Sequence, residues 1–133
     1  MKILIAADGS IYTKRMLAYI AAHDEWLGAR HVYTVLYCAP QPADVTLSRN
    51  FHAATAEGVF KPIRAFFAQK SMDAEFAHAV GSAPDLIADR AQGGKFDLLV
   101  MGSHGHGQAA GIALGSVVSD VLGKCSTPVL LIR

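Results

Sequence analysis

The feature that most constrains this chain is an alternation. Short, unbroken apolar runs take turns with longer segments whose apolar residues recur every three or four positions. The runs are Lys2–Ala7, His31–Cys38, Asp73–Val80, Phe96–Met101 and Pro128–Ile132. Most lack polar alternation, which predicts strands covered on both faces, as in a parallel sheet. Asp73–Val80 is more polar, which places it near an edge.

Four helices are predicted between the runs. The first carries Met16, Leu17, Ile20, Ala21 and Leu27 at helical spacing and ends at Gly28. Ser10 or Asp8 suits its N-cap. The second covers Phe51–Lys70, with Val59, Ile63, Phe66 and Phe67 on one face. Its Gly58 and Pro62 predict a kink near Gly58, or a late start. The third opens at Ser82, where Asp85 three residues on suggests a capping box and Pro84 suits the first turn. It stops at Gly93-Gly94. The fourth runs from Ser116 to Lys124. Ala39–Asn50, with two prolines and mixed polarity, reads as a loop.

Five strands alternating with four helices predict an α/β fold, a parallel sheet with helices on both faces. The length of 133 residues fits a single domain over 1–133. Ligands of such sheets bind beyond the carboxyl ends of the strands, where the strand order reverses. If the first and fourth strands are neighbours, two loops meet there. One is Asp8-Gly9-Ser10. The other is Met101–Ser116, which holds five glycines and no Lys or Arg.

Composition narrows the function. A net charge of +1 without like-charge runs gives no field for nucleic acid or an acidic membrane. No apolar stretch approaches the roughly 20 residues of a membrane span. Cys38 and Cys125 make neither a disulfide framework nor a zinc pattern, and the topology puts them at opposite ends of the sheet. The expected compartment is the cytoplasm.

The glycine stretch follows a strand and leads into a helix. Glycine lets backbone approach a ligand, and a helix start offers free N–H groups and the positive end of a dipole. That predicts a phosphate-binding loop closed at Gly115-Ser116. It is not a Walker A loop, which needs a lysine, nor a dinucleotide fingerprint, which follows the first strand. Its spacing is Gly102-x2-Gly105-x9-Gly115-Ser116. Long loops inside small domains are usually functional or disordered.

Here the chain resembles the universal stress proteins, whose nucleotide-binding members carry Gly-x2-Gly-x9-Gly-Ser/Thr. The likeness extends through Asp8-Gly9-Ser10, Gly81 with Pro84, Phe96–Gly105, and the close Ser126–Arg133. It implies a flavodoxin-like (Rossmann-like) three-layer sandwich with strand order 3-2-1-4-5. It also implies a cytoplasmic, usually dimeric, stress-response protein that binds ATP, with Mg or Mn accompanying the nucleotide. By position, Asp8, flanked by Ala7, Gly9 and Ser10, lies near adenine or ribose. Met101, Gly102, His104 and Gly105, with Ser103, line the ribose and phosphate path. Gly115, Ser116 and Val117 hold phosphate through backbone N–H groups and the Ser116 hydroxyl. The Cys38 backbone faces adenine.

The chain departs from that pattern where relatives place Arg or Lys in the loop, for example at His106. Phosphate charge is then left to amides, Ser103, Ser116, a divalent metal and protonated histidine. Because histidine titrates near ~6.5, ATP affinity is expected to rise from pH 8 toward pH 6 through His104 or His106. His104-x-His106 alternatively reads as a metal pair, although two histidines are too few for structural zinc. Asp8 alternatively reads as a plain helix cap. No catalytic constellation emerges: Ser10, Ser103 and Ser116 lack an evident His–Asp partnership, and no base is placed for γ-phosphate attack. Binding is favoured over turnover. The alternatives are a weak ATPase or nucleotide-dependent enzyme, and a dimeric scaffold with a vestigial site. The apolar last strand, Val129, Leu130, Leu131 and Ile132, predicts a homodimer if it forms a sheet edge.

Overall fold

The computed structural model describes residues 1–40, 49–105 and 114–133, without the side chains of 49–54. Five strands form one parallel sheet: β1 (Lys2–Ala6), β2 (Val32–Ala39), β3 (Ala74–Val80), β4 (Leu98–Gly102) and β5 (Val129–Ile132). Their order is β3-β2-β1-β4-β5, with β3 and β5 as the edges. The register pairs Ile3 with Tyr33 and Leu98, and Leu99 with Val129. This is the predicted α/β sandwich.

Strand alternation builds two cores. Ile3, Ile5, Tyr33, Val35 and Val100 face one side of the sheet, where they meet Met16, Ile20, Phe60, Ile63 and Phe67. Those partners belong to α1 (Ile11–Ala22) and α3 (Arg49–Gln69), with Leu27 of the short α2 (Asp24–Leu27) below them. Leu4, Leu36, Leu99 and Met101 face the other side. They meet Ile87 and Ala91 of α4 (Ala83–Gly93) and Val118 and Val121 of α5 (Ser116–Lys124). Each fully buried aliphatic or aromatic side chain contributes about 1.5–3 kcal/mol of transfer free energy.

Three elements depart from the sequence expectation. The first predicted helix is two, α1 and α2, broken at His23. The His23 ring nitrogen Nδ1 lies 2.8 Å from the Tyr19 carbonyl, the acceptor its own backbone N–H would use in a continuing helix. The His23 N–H turns instead to the Ile20 carbonyl at 3.3 Å. The second departure is α3, which starts at Arg49 rather than late and stays helical through Gly58 and Pro62. Gly58 is the residue whose carbonyl loses its donor to Pro62. Buried Ala56, Phe60, Ile63 and Phe67 hold both sides of that turn, so packing overrides the local preference. The third is Ser82, which takes the N-cap position of α4 without a side-chain capping bond. Asp85 pairs with Lys124 of α5, which first lowers its carboxyl, and the Ser82 side chain adds to that lowering. Of the predicted loop, residues 41–48 lie outside the described residues, and Arg49 and Asn50 begin α3.

Candidate functional site

The site begins where β1 stops. After Ala6 the chain turns through Asp8-Gly9-Ser10 into α1, and Ser10 is the N-cap. Its Oγ accepts the Tyr12 N–H at 3.2 Å. Asp8 Oδ1 accepts the Ser10 N–H at 2.9 Å and the Thr13 hydroxyl at 3.2 Å. The Thr13 hydroxyl oxygen in turn accepts the N–H groups of Asp8 and Gly9, each at 3.1 Å. Asp8 therefore has a structural task at the helix start, and its second oxygen faces the neighbouring strand's loop.

That loop follows β4. A Cβ on Gly105 would stand 2.7 Å from Asp8 Oδ2, and one on Gly102 would stand 2.5 Å from Tyr12 Cβ. Both are closer than atoms pack, so glycine at these positions lets the two loops touch. Ser103 closes the base of the glycine stretch. Its N–H donates to the Ile132 carbonyl and its carbonyl accepts the Gly115 N–H, both at 2.7 Å. Gly115 is the N-cap of α5, so the helix start is tied back to the end of β4.

Between these loops lies a cavity of about 420 Å³ at the carboxyl ends of β1, β2 and β4. Ten of the thirteen residues singled out above line it: Ala7, Asp8, Cys38, Met101, Gly102, His104, Gly105, Gly115, Ser116 and Val117. Three do not. Gly9 and Ser10 line a separate cavity of about 490 Å³ between α1 and α3, which shares Asp8 with the first. Their backbone N–H groups and the Ser10 hydroxyl serve the start of α1. Ser103 is buried, 2% exposed, and its Oγ lies 2.9 Å from His104 Nδ1. This serine–histidine pair was not legible in the sequence. Its hydroxyl is buried against the His104 ring rather than exposed in the cavity. His106 lies outside the described residues.

The wall also contains residues the sequence reading missed. Tyr12 and Met16 come from α1, Leu36 from β2, and Ala83 and Ile87 from α4, with Val118, Ala6 and Pro40 completing it. Spacing held the signal. Tyr12 and Met16 are four apart on one helix, and Leu36 and Cys38 are two apart on one strand. The Tyr12 and His104 rings lie 5.4 Å apart, and the Arg15 guanidinium lies 5.0 Å from the Tyr12 ring centroid.

The cavity is mostly apolar at its β2 side, and burial pushes the Cys38 thiol up to about 11. The Tyr37 hydroxyl is raised by burial first, then by the Asp8 charge. Cys38 and Cys125 are both free and half-buried. Among the described residues, no three His, Cys, Asp or Glu side chains gather to hold a metal ion. No described helix is long and apolar enough to cross a membrane.

Known proteins match this arrangement along its whole length. The model of the Universal stress protein family matches residues 1–133. A universal stress protein from Thermus aquaticus, found in the QAH/OAS sulfhydrylase 3′ region, is 33% identical across 98% of this chain and 97% of its own length. Universal stress protein Slr1230 of Synechocystis is 29% identical across 99% of the chain, which spans only 42% of that relative's length. Among solved structures, hypothetical protein MJ0577 superposes with a TM-score of 0.84 at 24% identity, covering 98% of this chain and 94% of that one. A family protein from Arabidopsis thaliana with AMP bound gives 0.74 at 15% identity, covering 99% and 90%. The Archaeoglobus fulgidus universal stress protein in complex with dAMP gives 0.70 at 22% identity, covering 100% and 98%. The fold, the complete glycine spacing and the full-length family match agree, and this chain belongs to the universal stress protein family.

Proposed function

We propose that this chain binds an adenine nucleotide in the 420 Å³ cavity and acts as a regulatory, stress-response module with little or no turnover. The observation that carries the reading is convergence. Loops separated by some 90 residues of sequence bring Asp8, Gly102, Gly105 and the start of α5 around one space. Relatives of the same fold hold AMP and dAMP, which supports the ligand class.

In this reading the base lies against the apolar side, between Leu36, Ile87 and the Cys38 backbone. β1 ends at Ala6, whose partner in β2 is Leu36, so Cys38 lies beyond the last β1 pairing. Asp8 addresses adenine or ribose. Met101, Gly102, His104 and Gly105 follow the ribose toward the phosphates. The amides of Ser116 and Val117 and the Ser116 hydroxyl receive phosphate at the positive end of α5. The Gly115 N–H is already given to Ser103, so Gly115 contributes close approach rather than a donor. With ATP, Mg or Mn would arrive on the nucleotide. A homodimer through the β5 edge, where Val129, Leu130 and Leu131 are only half-buried, completes the proposal.

The test is to heat-denature purified protein and identify released nucleotide by chromatography and mass spectrometry. An adenine nucleotide that is lost in Gly115→Val is the expected outcome. Absence of nucleotide together with no saturable ATP titration in magnesium points to a scaffold with a vestigial site. Phosphate release dependent on Ser116 would establish an enzyme instead.

A further inference from the structure

The hydroxyl of Thr13 is committed in full to Asp8 and its neighbour. A hydroxyl has one O–H to donate and two lone pairs to accept with. Thr13 Oγ1 accepts the N–H groups of Asp8 and Gly9, each at 3.1 Å. With both lone pairs taken, its own hydrogen goes to Asp8 Oδ1 at 3.2 Å. Gly9 has a φ of 79°, a left-handed turn that lets one oxygen on α1 reach two successive amides. Thr13 is only 4% exposed, which keeps water from competing for these bonds. The Asp8 carboxylate is planar, and two donors fix its Oδ1: the Thr13 hydroxyl and the Ser10 N–H. Fixing Oδ1 also fixes Oδ2, which stands on the glycine-loop side, 2.7 Å from where a Cβ on Gly105 would lie. Asp8 lines the 420 Å³ cavity and Thr13 does not. Thr13 lines the separate cavity between α1 and α3, so it reaches a ligand in the first cavity only through Asp8.

Resting on the adenine-nucleotide reading above, we infer that Thr13 is a positioning residue of the site, which aims the Asp8 carboxylate at the nucleoside. A plain helix-start role would use the same bonds, but the two roles differ in what they couple to. A residue that only steadies α1 lowers stability, and any loss of binding that follows does not depend on Asp8. A residue that aims Asp8 loses its effect on binding once Asp8 is gone. Because Asp8 addresses adenine or ribose in that reading, the effect of Thr13 is also the same whatever phosphates the ligand carries.

Titration calorimetry of the intact protein with adenosine, AMP and magnesium–ATP tests this through a double-mutant cycle on Thr13 and Asp8. Valine keeps the shape of threonine without the hydroxyl. Thr13→Val is expected to weaken all three ligands by about tenfold, by factors that agree within about twofold, since a hydrogen bond to a charged group is lost. Thr13→Ser, which keeps the hydroxyl, is expected to restore affinity to within about threefold of wild type. In an Asp8→Ala background, Thr13→Val is expected to change affinity by less than about twofold, read with whichever ligand binds tightest. Hydrogen exchange without nucleotide checks the geometry: the Asp8 and Gly9 amides should exchange at least tenfold faster in Thr13→Val than in wild type. If Thr13→Val does not fold, Thr13→Ala, whose space admits water for the freed amides, carries the same comparisons. Wild-type affinity in a folded variant whose two amides exchange fast overturns the positioning role. So does a full tenfold loss in the Asp8→Ala background, which would leave Thr13 a helix-start residue and the adenine site standing. Failure of folded wild-type protein to bind any of the three ligands overturns the adenine reading and this inference together.

Discussion

Gly102 and Gly105 show how single residues decide this site. Each lacks a side chain because another residue already stands where a Cβ would go. For Gly102 the obstacle is Tyr12 Cβ at 2.5 Å, an atom fixed to helix backbone, with the His104 carbonyl at 3.1 Å. Gly102→Ala is expected to cost about 1–3 kcal/mol through overpacking, measured by urea denaturation. For Gly105 the obstacle is the far end of Asp8, which can move. Gly105→Ala is expected to cost less stability and more affinity, because a displaced carboxylate loosens its bonds to Ser10 and Thr13. Equal losses of stability in the two variants would contradict this. Cys38 offers a pH readout. Its thiol is raised to about 11, so at pH 8 the folded protein presents far less thiolate than the unfolded chain. In a Cys125→Ser background, iodoacetamide should label the native protein at least tenfold more slowly than the urea-unfolded one. The native rate should climb as pH approaches 11, and saturating adenine nucleotide should slow it further. Sequence exposed these glycines by their spacing, and it suggested that they face a ligand. Their contacts with Tyr12 and Asp8 depend on which loops the sheet brings together, which no local pattern encodes.

At the level of elements, the strands and most helix ends followed from periodicity and punctuation. The order of apolar runs, the end of α4 at Gly93-Gly94 and the span Ser116–Lys124 of α5 were all legible. Side chains that bond to distant or competing partners were not. His23 breaks α1 from α2 through its ring, and Asp85 reaches across to Lys124 of α5. In α3 the buried face outweighs the preferences of Gly58 and Pro62. One element junction makes a measurable prediction. The Tyr33 hydroxyl, buried on β2, donates to the carbonyls of Leu27 and Gly28 at 2.6 and 3.0 Å. Tyr33→Phe leaves both carbonyls without that donor and should cost roughly 1–3 kcal/mol. Burial, then the charge of Asp24, raises the hydroxyl from 10.0 to about 12. A raised folded value means the folded protein holds the proton more tightly. The stability it contributes is full below pH 10 and is lost as pH rises toward 12. Wild-type stability should therefore fall across that window more steeply than that of Tyr33→Phe. Parallel slopes would assign the alkaline loss to other groups.

At the level of the whole molecule, the sheet order does the decisive work. Order β3-β2-β1-β4-β5 makes β1 and β4 neighbours, and so sets Asp8 beside the glycine loop. The same order leaves β5 as an edge of Val129, Leu130, Leu131 and Ile132. Pairing of that edge predicts a mass of twice the 14.1 kDa chain in sizing with light scattering at micromolar concentration. A monomer there would count against the β5 dimer while leaving the cavity intact. The proposed function rests on the cavity and its ligand. Its most direct test is the nucleotide carried by freshly purified protein, released by heat and identified by mass. Wild type is expected to release an adenine nucleotide, and Gly115→Val of equal thermal stability none. Folded wild-type protein that releases no nucleotide, and that binds neither AMP nor magnesium–ATP in titration, would contradict it.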